Sequence, residues 1–93
     1  MSDDDVLTLE ELCSACALER EWLVLRVREG LIPATEVGGA EWRFTTATLA
    51  RVRRMRDLER TYDAAPELAA LAADMLEEID RLRARLRRAG ISH

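Results

Sequence analysis

The chain has 93 residues, the length of one small domain, and its 14 basic side chains, every one an arginine, stand against 18 acids for a net charge of −4. A domain of this size buries roughly 65% of the surface its unfolded chain exposes, which leaves room for one core and little for a deep catalytic cleft. The acidic balance argues against a generic nucleic-acid binder, and a chain rich in Leu, Ala, Arg and Glu is expected to be mostly helical. No stretch approaches the ~20 consecutive apolar residues of a membrane span, and Met1-Ser2-Asp3-Asp4-Asp5 is not the start of a signal peptide. The expected location is the cytoplasm, without a membrane partner. Cys13 and Cys16 are too few for a disulfide framework and are expected to be thiols.

Residues 1–6 read as a short polar lead, with Asp3-Asp4-Asp5 the one low-complexity tract. Thr8 and Glu11 then form a Thr-x-x-Glu capping box, in which each side chain satisfies a free backbone donor at a helix start. Leu9, Leu12, Cys13 and Cys16 recur at helical spacing, so a first helix is expected from about Leu9 to Cys16. Ala17-Leu18 is a tight link. A second helix spans roughly Glu19 to Glu29, carries Trp22, Leu23, Leu25, Arg26 and Val27, and stops at Gly30, which tolerates the left-handed backbone past a helix end. Two short helices joined this way make a helix-turn-helix candidate.

Leu31-Ile32-Pro33 leaves the second helix extended. Thr35-Glu36-Val37 and Glu41-Trp42-Arg43-Phe44 flank Gly38-Gly39-Ala40 and predict a two-stranded hairpin, which after a helix-turn-helix is a wing. Thr45 or Thr46 can cap a third helix in which Leu49, Val52, Met55, Leu58 and Tyr62 alternate with Arg51, Arg53, Arg54, Arg56 and Arg60. Pro66 suits the first position of a last helix that runs to Arg88, with Asp63 or a neighbour as its cap. In it Leu68, Ala72, Met75, Ile79, Leu82 and Leu86 step by 4, 3, 4, 3, 4, a coiled-coil seam that Leu71 and Leu76 widen. Acids precede arginines along this helix, as its dipole favours, and Glu77 can pair with Arg81. The expected fold class is mainly α, a winged helix-turn-helix unit over residues 1–65 with a C-terminal amphipathic helix over 66–93.

This order of elements resembles the MerR-type winged-helix family over nearly the whole chain. Leu7-Thr8-Leu9 enters the first helix, Arg28-Glu29-Gly30-Leu31-Ile32-Pro33 leaves the second, and Trp42-Arg43-Phe44-Thr45 closes the wing. Within that superfamily the Trp-x-Phe wing strand and the Leu- and Arg-dense terminal helix are similar to chaperone modulators of the CbpM type. That resemblance implies a non-enzymatic protein that binds the J-domain of a DnaJ-like co-chaperone and blocks its cooperation with an Hsp70. It implies no cofactor and no metal. DNA-binding MerR members carry a small polar residue, an Arg and a Tyr on the second helix, where this chain, lined up on Gly30-Leu31, has Trp22, Val24 and Arg26.

Charge by segment points the same way. Residues 1–30 hold eight acids and three arginines, net −5; residues 31–62 are net +2 and residues 63–93 net −1. A recognition unit with that deficit takes up counterions on approaching DNA, whereas a binder releases them. J-domains are typically basic along the helix that docks to Hsp70, so an acidic competitor gains steering and complementarity. The candidate protein-binding residues are Glu10, Glu11, Trp22, Asp74, Glu77, Glu78 and Asp80. The alternative, a small MerR-like DNA-binding regulator, would use Arg26, Arg43, Arg53 and Arg54.

Several of these residues carry two readings. Cys13-x-x-Cys16 invites zinc or redox chemistry, but zinc needs two further ligands and the only histidine is His93, so the thiols are expected to pack as small apolar groups. Trp22 is either a binding anchor or part of the core. Trp42 and Phe44 point the same way by strand alternation and are expected to pin the wing to the first helix. The arginines of the third helix are a solvated face or residual partner contacts, and the acids Asp74 to Asp80 are surface charge or partner-facing. For the terminal stripe, Leu68, Leu71 and Ala72 are expected on the intramolecular core. Met75, Ile79, Leu82 and Leu86 are expected to reach a second copy as a dimer seam.

Overall fold

The computed structural model describes residues 6–39 and 41–90. The lead Asp3-Asp4-Asp5, the loop residue Ala40 and the terminal His93 lie outside the described residues. Among the described residues the elements run β1 (Leu7–Thr8), α1 (Leu9–Cys16), α2 (Arg20–Arg28), β2 (Thr35–Val37), β3 (Glu41–Phe44), α3 (Thr46–Tyr62) and α4 (Pro66–Arg88).

The capping box forms as expected: Thr8 Oγ1 accepts from the Glu11 amide at 3.1 Å, and the Thr8 amide donates to Glu11 Oε1 at 2.9 Å. At the other end of α1, Ala17 adopts a left-handed backbone with φ 54°, and the Leu18 amide donates to the Cys13 carbonyl at 2.9 Å. A non-glycine residue held there costs roughly 1–2 kcal/mol. Burial of Leu18 on the far side of the turn offsets that cost. α2 ends at Gly30 with φ 78°, where the amides of Gly30 and Leu31 donate to the carbonyls of Val27 and Arg26, and the turn drops Ile32 into the core.

The wing is broader than its sequence suggests. β2 and β3 pair antiparallel, Thr35 opposite Arg43 and Val37 opposite Glu41, but β1 adds a third strand on the other side of β3, with Leu7 opposite Phe44 and Thr8 opposite Arg43. β3 is therefore central, and the residues just before α1 tie the wing to the helix-turn-helix. Gly38 and Gly39, with φ 65° and 80°, supply the reversal. The core gathers between α1, α2, β3 and α3, where Leu12, Leu23, Ile32, Phe44, Val52 and Met55 are fully buried. Trp42 is half-buried against this core, on the same strand face as Phe44. Thr45 caps α3, its Oγ1 accepting from the Thr48 amide at 3.2 Å.

Two expectations about α4 need correcting. Asp63 does not cap it; Asp63 closes α3 in a left-handed conformation with φ 54°, and Ala65 precedes Pro66 without any side-chain cap. The face that packs on α3 is also different. Ala69, Ala70 and Ala73 are buried, while Leu68 and Leu71 are 58% and 55% exposed and Ala72 is half-buried. The alanines let the helices approach closely, and the same face carries Asp74, Glu77 and Asp80, which meet Arg51 and Arg54 of α3. Ion pairing and small size together turn the leucine stripe outward.

Candidate functional site

In a winged helix-turn-helix the second helix and the wing form one surface. Here that surface is an open groove of about 360 Å³ between α2 and β3, lined by Thr8, Leu9 and Glu10 from the start of α1, Arg20, Val24 and Arg28 from α2, and Glu41, Trp42 and Arg43 from the wing. Around α2 it continues into a depression formed by Arg20, Glu21, Val24, Leu25 and Arg28. Leu25 is 50% exposed at the centre of this face. Apolar Val24 and Trp42 thus line the groove and Leu25 the adjoining depression, and the two together are bordered by three arginines and three glutamates. Arg43 is already engaged: its Nη2 lies 2.9 Å from Glu41 Oε1, and its Nη1 donates to the Trp42 carbonyl at 3.2 Å.

A second constellation joins α2 to α3 beneath that face. Trp22 Nε1 donates to Glu59 Oε1 at 3.0 Å, and Arg26 grips the same carboxylate with Nη2 at 2.7 Å and Nε at 3.2 Å. The Arg26 guanidinium also lies over the Trp22 ring, 4.4 Å from its centroid, and that of Arg56 is at 5.7 Å. Both members of the ion pair are nearly buried, their side chains 10% and 12% exposed. Of the two readings open for Trp22, this geometry supplies packing: a half-buried ring whose one donor is satisfied within the chain. Glu59 continues the buried Val52 and Met55 stripe by one turn. A carboxylate on an inward stripe requires a cation, which was the signal for this cluster in the sequence.

Three arginines of α3, Arg51, Arg53 and Arg54, are bonded within the chain as well, whereas Arg56 Nε is buried without a hydrogen-bond partner. Arg51 Nη1 meets Asp74 at 2.7 Å and Glu77 at 3.1 Å, while its Nε donates to the Leu31 carbonyl at 3.0 Å. Arg54 pairs with Asp80, and Arg53 Nη2 donates to the Ala15 carbonyl at 3.3 Å. All four arginines considered for DNA, namely Arg26, Arg43, Arg53 and Arg54, therefore hold partners in their own chain. Three of the four α4 acids considered for a protein partner, Asp74, Glu77 and Asp80, are tied to α3, and Glu78 pairs with Arg81. Glu11 caps its own helix. Glu10 lies exposed at the groove, where Arg20 and Arg28 join it, with Leu25 in the adjoining depression; the sequence did not single out those three for a site.

Cys13 and Cys16 are half-buried and pack against the core as small apolar groups. Burial pushes the Cys13 thiol up, Glu10 adds to the effect and Arg20 opposes it, so the group is a neutral thiol at neutral pH. Among the described residues no three His, Cys, Asp or Glu side chains are placed to hold a metal ion, and no helix is long and apolar enough to cross a membrane.

A helix-turn-helix whose second helix lies beside a small antiparallel wing, followed by two further helices, defines a winged helix-turn-helix protein. Residues 7–89 match the family described as MerR HTH family regulatory protein, and the chain belongs to that family. No curated protein gives a sequence match.

Proposed function

We propose that the protein is a non-enzymatic chaperone modulator that binds the J-domain of a DnaJ-like co-chaperone and denies its basic helix to an Hsp70. The observation that carries this reading is the character of the groove between α2 and the wing. A surface that held duplex DNA would present an excess of cations over acids around a polar floor. This one sets apolar Val24 and Trp42 among charges of both signs, with Leu25 exposed in the depression beside it. Such a surface, apolar at the centre and charged at the edge, suits a protein partner. Among the described residues no ion pair ties Glu10, Glu19, Glu21 or Glu29, so the acids of the helix-turn-helix, rather than those of α4, are available to a basic partner helix. The helix-turn-helix has the expected deficit of positive charge for steering such an encounter.

The test is binding of a purified J-domain to the full chain. Leu25→Glu and the double reversal Glu10→Arg with Glu21→Arg each weaken the complex by at least about ten-fold, and added salt slows association. A complex indifferent to both variants overturns the reading. A second reading, a small MerR-like DNA-binding regulator, draws on Arg20, Arg28 and Arg43, which border the same groove. Retention of duplex DNA at low salt and micromolar protein, lost on Arg20→Ala with Arg28→Ala, would establish it in place of the first.

A further inference from the structure

We propose that Arg20 and Arg28 of α2 select what the groove binds, seating two carboxylates that flank an aliphatic side chain on one face of a partner helix; this rests on the reading of the groove as a protein-binding surface. Positions 20, 24 and 28 follow one another at helical neighbour spacing. They form a slowly winding row along α2, with a rise of ~6 Å per step and ~12 Å between the two arginines. All three side chains line the groove, the arginines exposed and Val24 half-buried between them. The row reads cation, apolar, cation.

The third arginine of the groove is held within the wing, where Arg43 pairs with Glu41 and donates to the Trp42 carbonyl. Arg20 and Arg28 make no ion pair and no side-chain hydrogen bond among the described residues, although Glu10 borders the same groove. Each can therefore turn to an incoming carboxylate without giving up a partner there.

A second helix laid along α2 repeats its own side chains with the same rise. Two acids with a leucine midway between them match the row in either direction. The groove, at about 360 Å³, takes the side chains of such a segment and leaves its backbone outside. Basic positions to either side of that face meet Glu10 and Glu21. A nucleic-acid backbone fits less well, because its evenly spaced phosphates would be set against Glu10, Glu21 and Glu41 as well as against the arginines. Two discrete carboxylates avoid those acids.

Amide chemical shifts of the isotope-labelled full chain test this, in titrations with alanine-rich helical peptides that carry Glu-x-x-x-Leu-x-x-x-Glu or, as the control, Lys-x-x-x-Leu-x-x-x-Lys. The Glu peptide shifts amides of α2 and β3 and binds with a Kd at least about ten-fold below that of the Lys peptide. Arg20→Gln with Arg28→Gln removes the preference, and Arg20→Glu with Arg28→Glu reverses it. Both double variants keep the wild-type helix content by circular dichroism, since the side chains are exposed. Reversal of the preference separates charge recognition from a merely structural role. A Glu peptide that does not bind, that binds no better than the Lys peptide, that shifts only other elements or that duplex DNA displaces overturns the carboxylate pair. A purified J-domain in the same titration distinguishes the two readings. If it stays unbound while the Glu peptide binds, only the J-domain reading falls; if it binds and ignores the Arg20 and Arg28 reversals, only the carboxylate pair falls.

Discussion

Between Leu9 and Met55 most of the large apolar side chains point inward, Leu25 and Val37 excepted: Leu12, Leu23 and Val52 are fully buried and Phe44 is 1% exposed. In α4 the arrangement is reversed, with three alanines buried and Leu68, Leu71, Met75, Ile79 and Leu82 outside. The first region has a jigsaw core, and α4 rests on it through a thin alanine seam laced by Arg51 and Arg54. The difference shows that apolar bulk is placed differently along the chain. In the helix-turn-helix and wing most of it fills the core, while in α4 it lies on the surface.

Substitutions in the two regions should therefore differ steeply in cost. Phe44→Ala should be the most damaging, lowering unfolding free energy by about 3–5 kcal/mol in chemical denaturation, because it opens a cavity where the wing meets the core. Glu59→Gln should follow at about 2–3 kcal/mol, since it leaves the nearly buried Arg26 without its counter-charge. Arg51→Met should cost about 1 kcal/mol, and its effect should appear in hydrogen exchange of α4 before that of α1, because the side chain links α4 to the exit of α2. Leu68→Ala, at an exposed position, should change the stability of the monomer by less than about 0.5 kcal/mol. Equal costs for Phe44→Ala and Leu68→Ala would remove the contrast between the regions. The Cys13 thiol offers a gentler check: raised above its ordinary value, it should be alkylated more slowly at neutral pH than the same thiol in the denatured chain, and the gap should narrow as pH rises.

Local chemistry was legible in the residues. The capping box at Thr8 and Glu11, the glycine stop at Gly30, the pairing of Thr35-Glu36-Val37 with Glu41-Trp42-Arg43-Phe44 and the start at Pro66 all depend on near neighbours, and all form. What the sequence did not display depends on distant partners. Two residues, Leu7 and Thr8, are too short a run to show alternation, so their strand exists only because Phe44 and Arg43 lie opposite. Periodicity along α4 revealed a leucine stripe but not which stripe faces inward, since alanines at positions 69, 70 and 73 also share a face. That choice was settled by Arg51 and Arg54 on another helix. The groove behaved likewise. Glu10 was identified from charge alone, whereas Arg20 and Arg28 joined it in one groove only once α2 lay beside the wing.

The placement of the two tryptophans has a practical optical consequence. Trp22 is held between α2 and α3 by Glu59 and Arg26, and Trp42 lines the groove from the wing. Each of the two events of interest therefore has its own natural fluorophore. In a Trp42→Phe chain the emission reports only on the joint under the second helix, and in a Trp22→Phe chain only on what enters the groove. Titrating a partner against the pair would show, without any label, whether occupancy at the wing is felt at the joint.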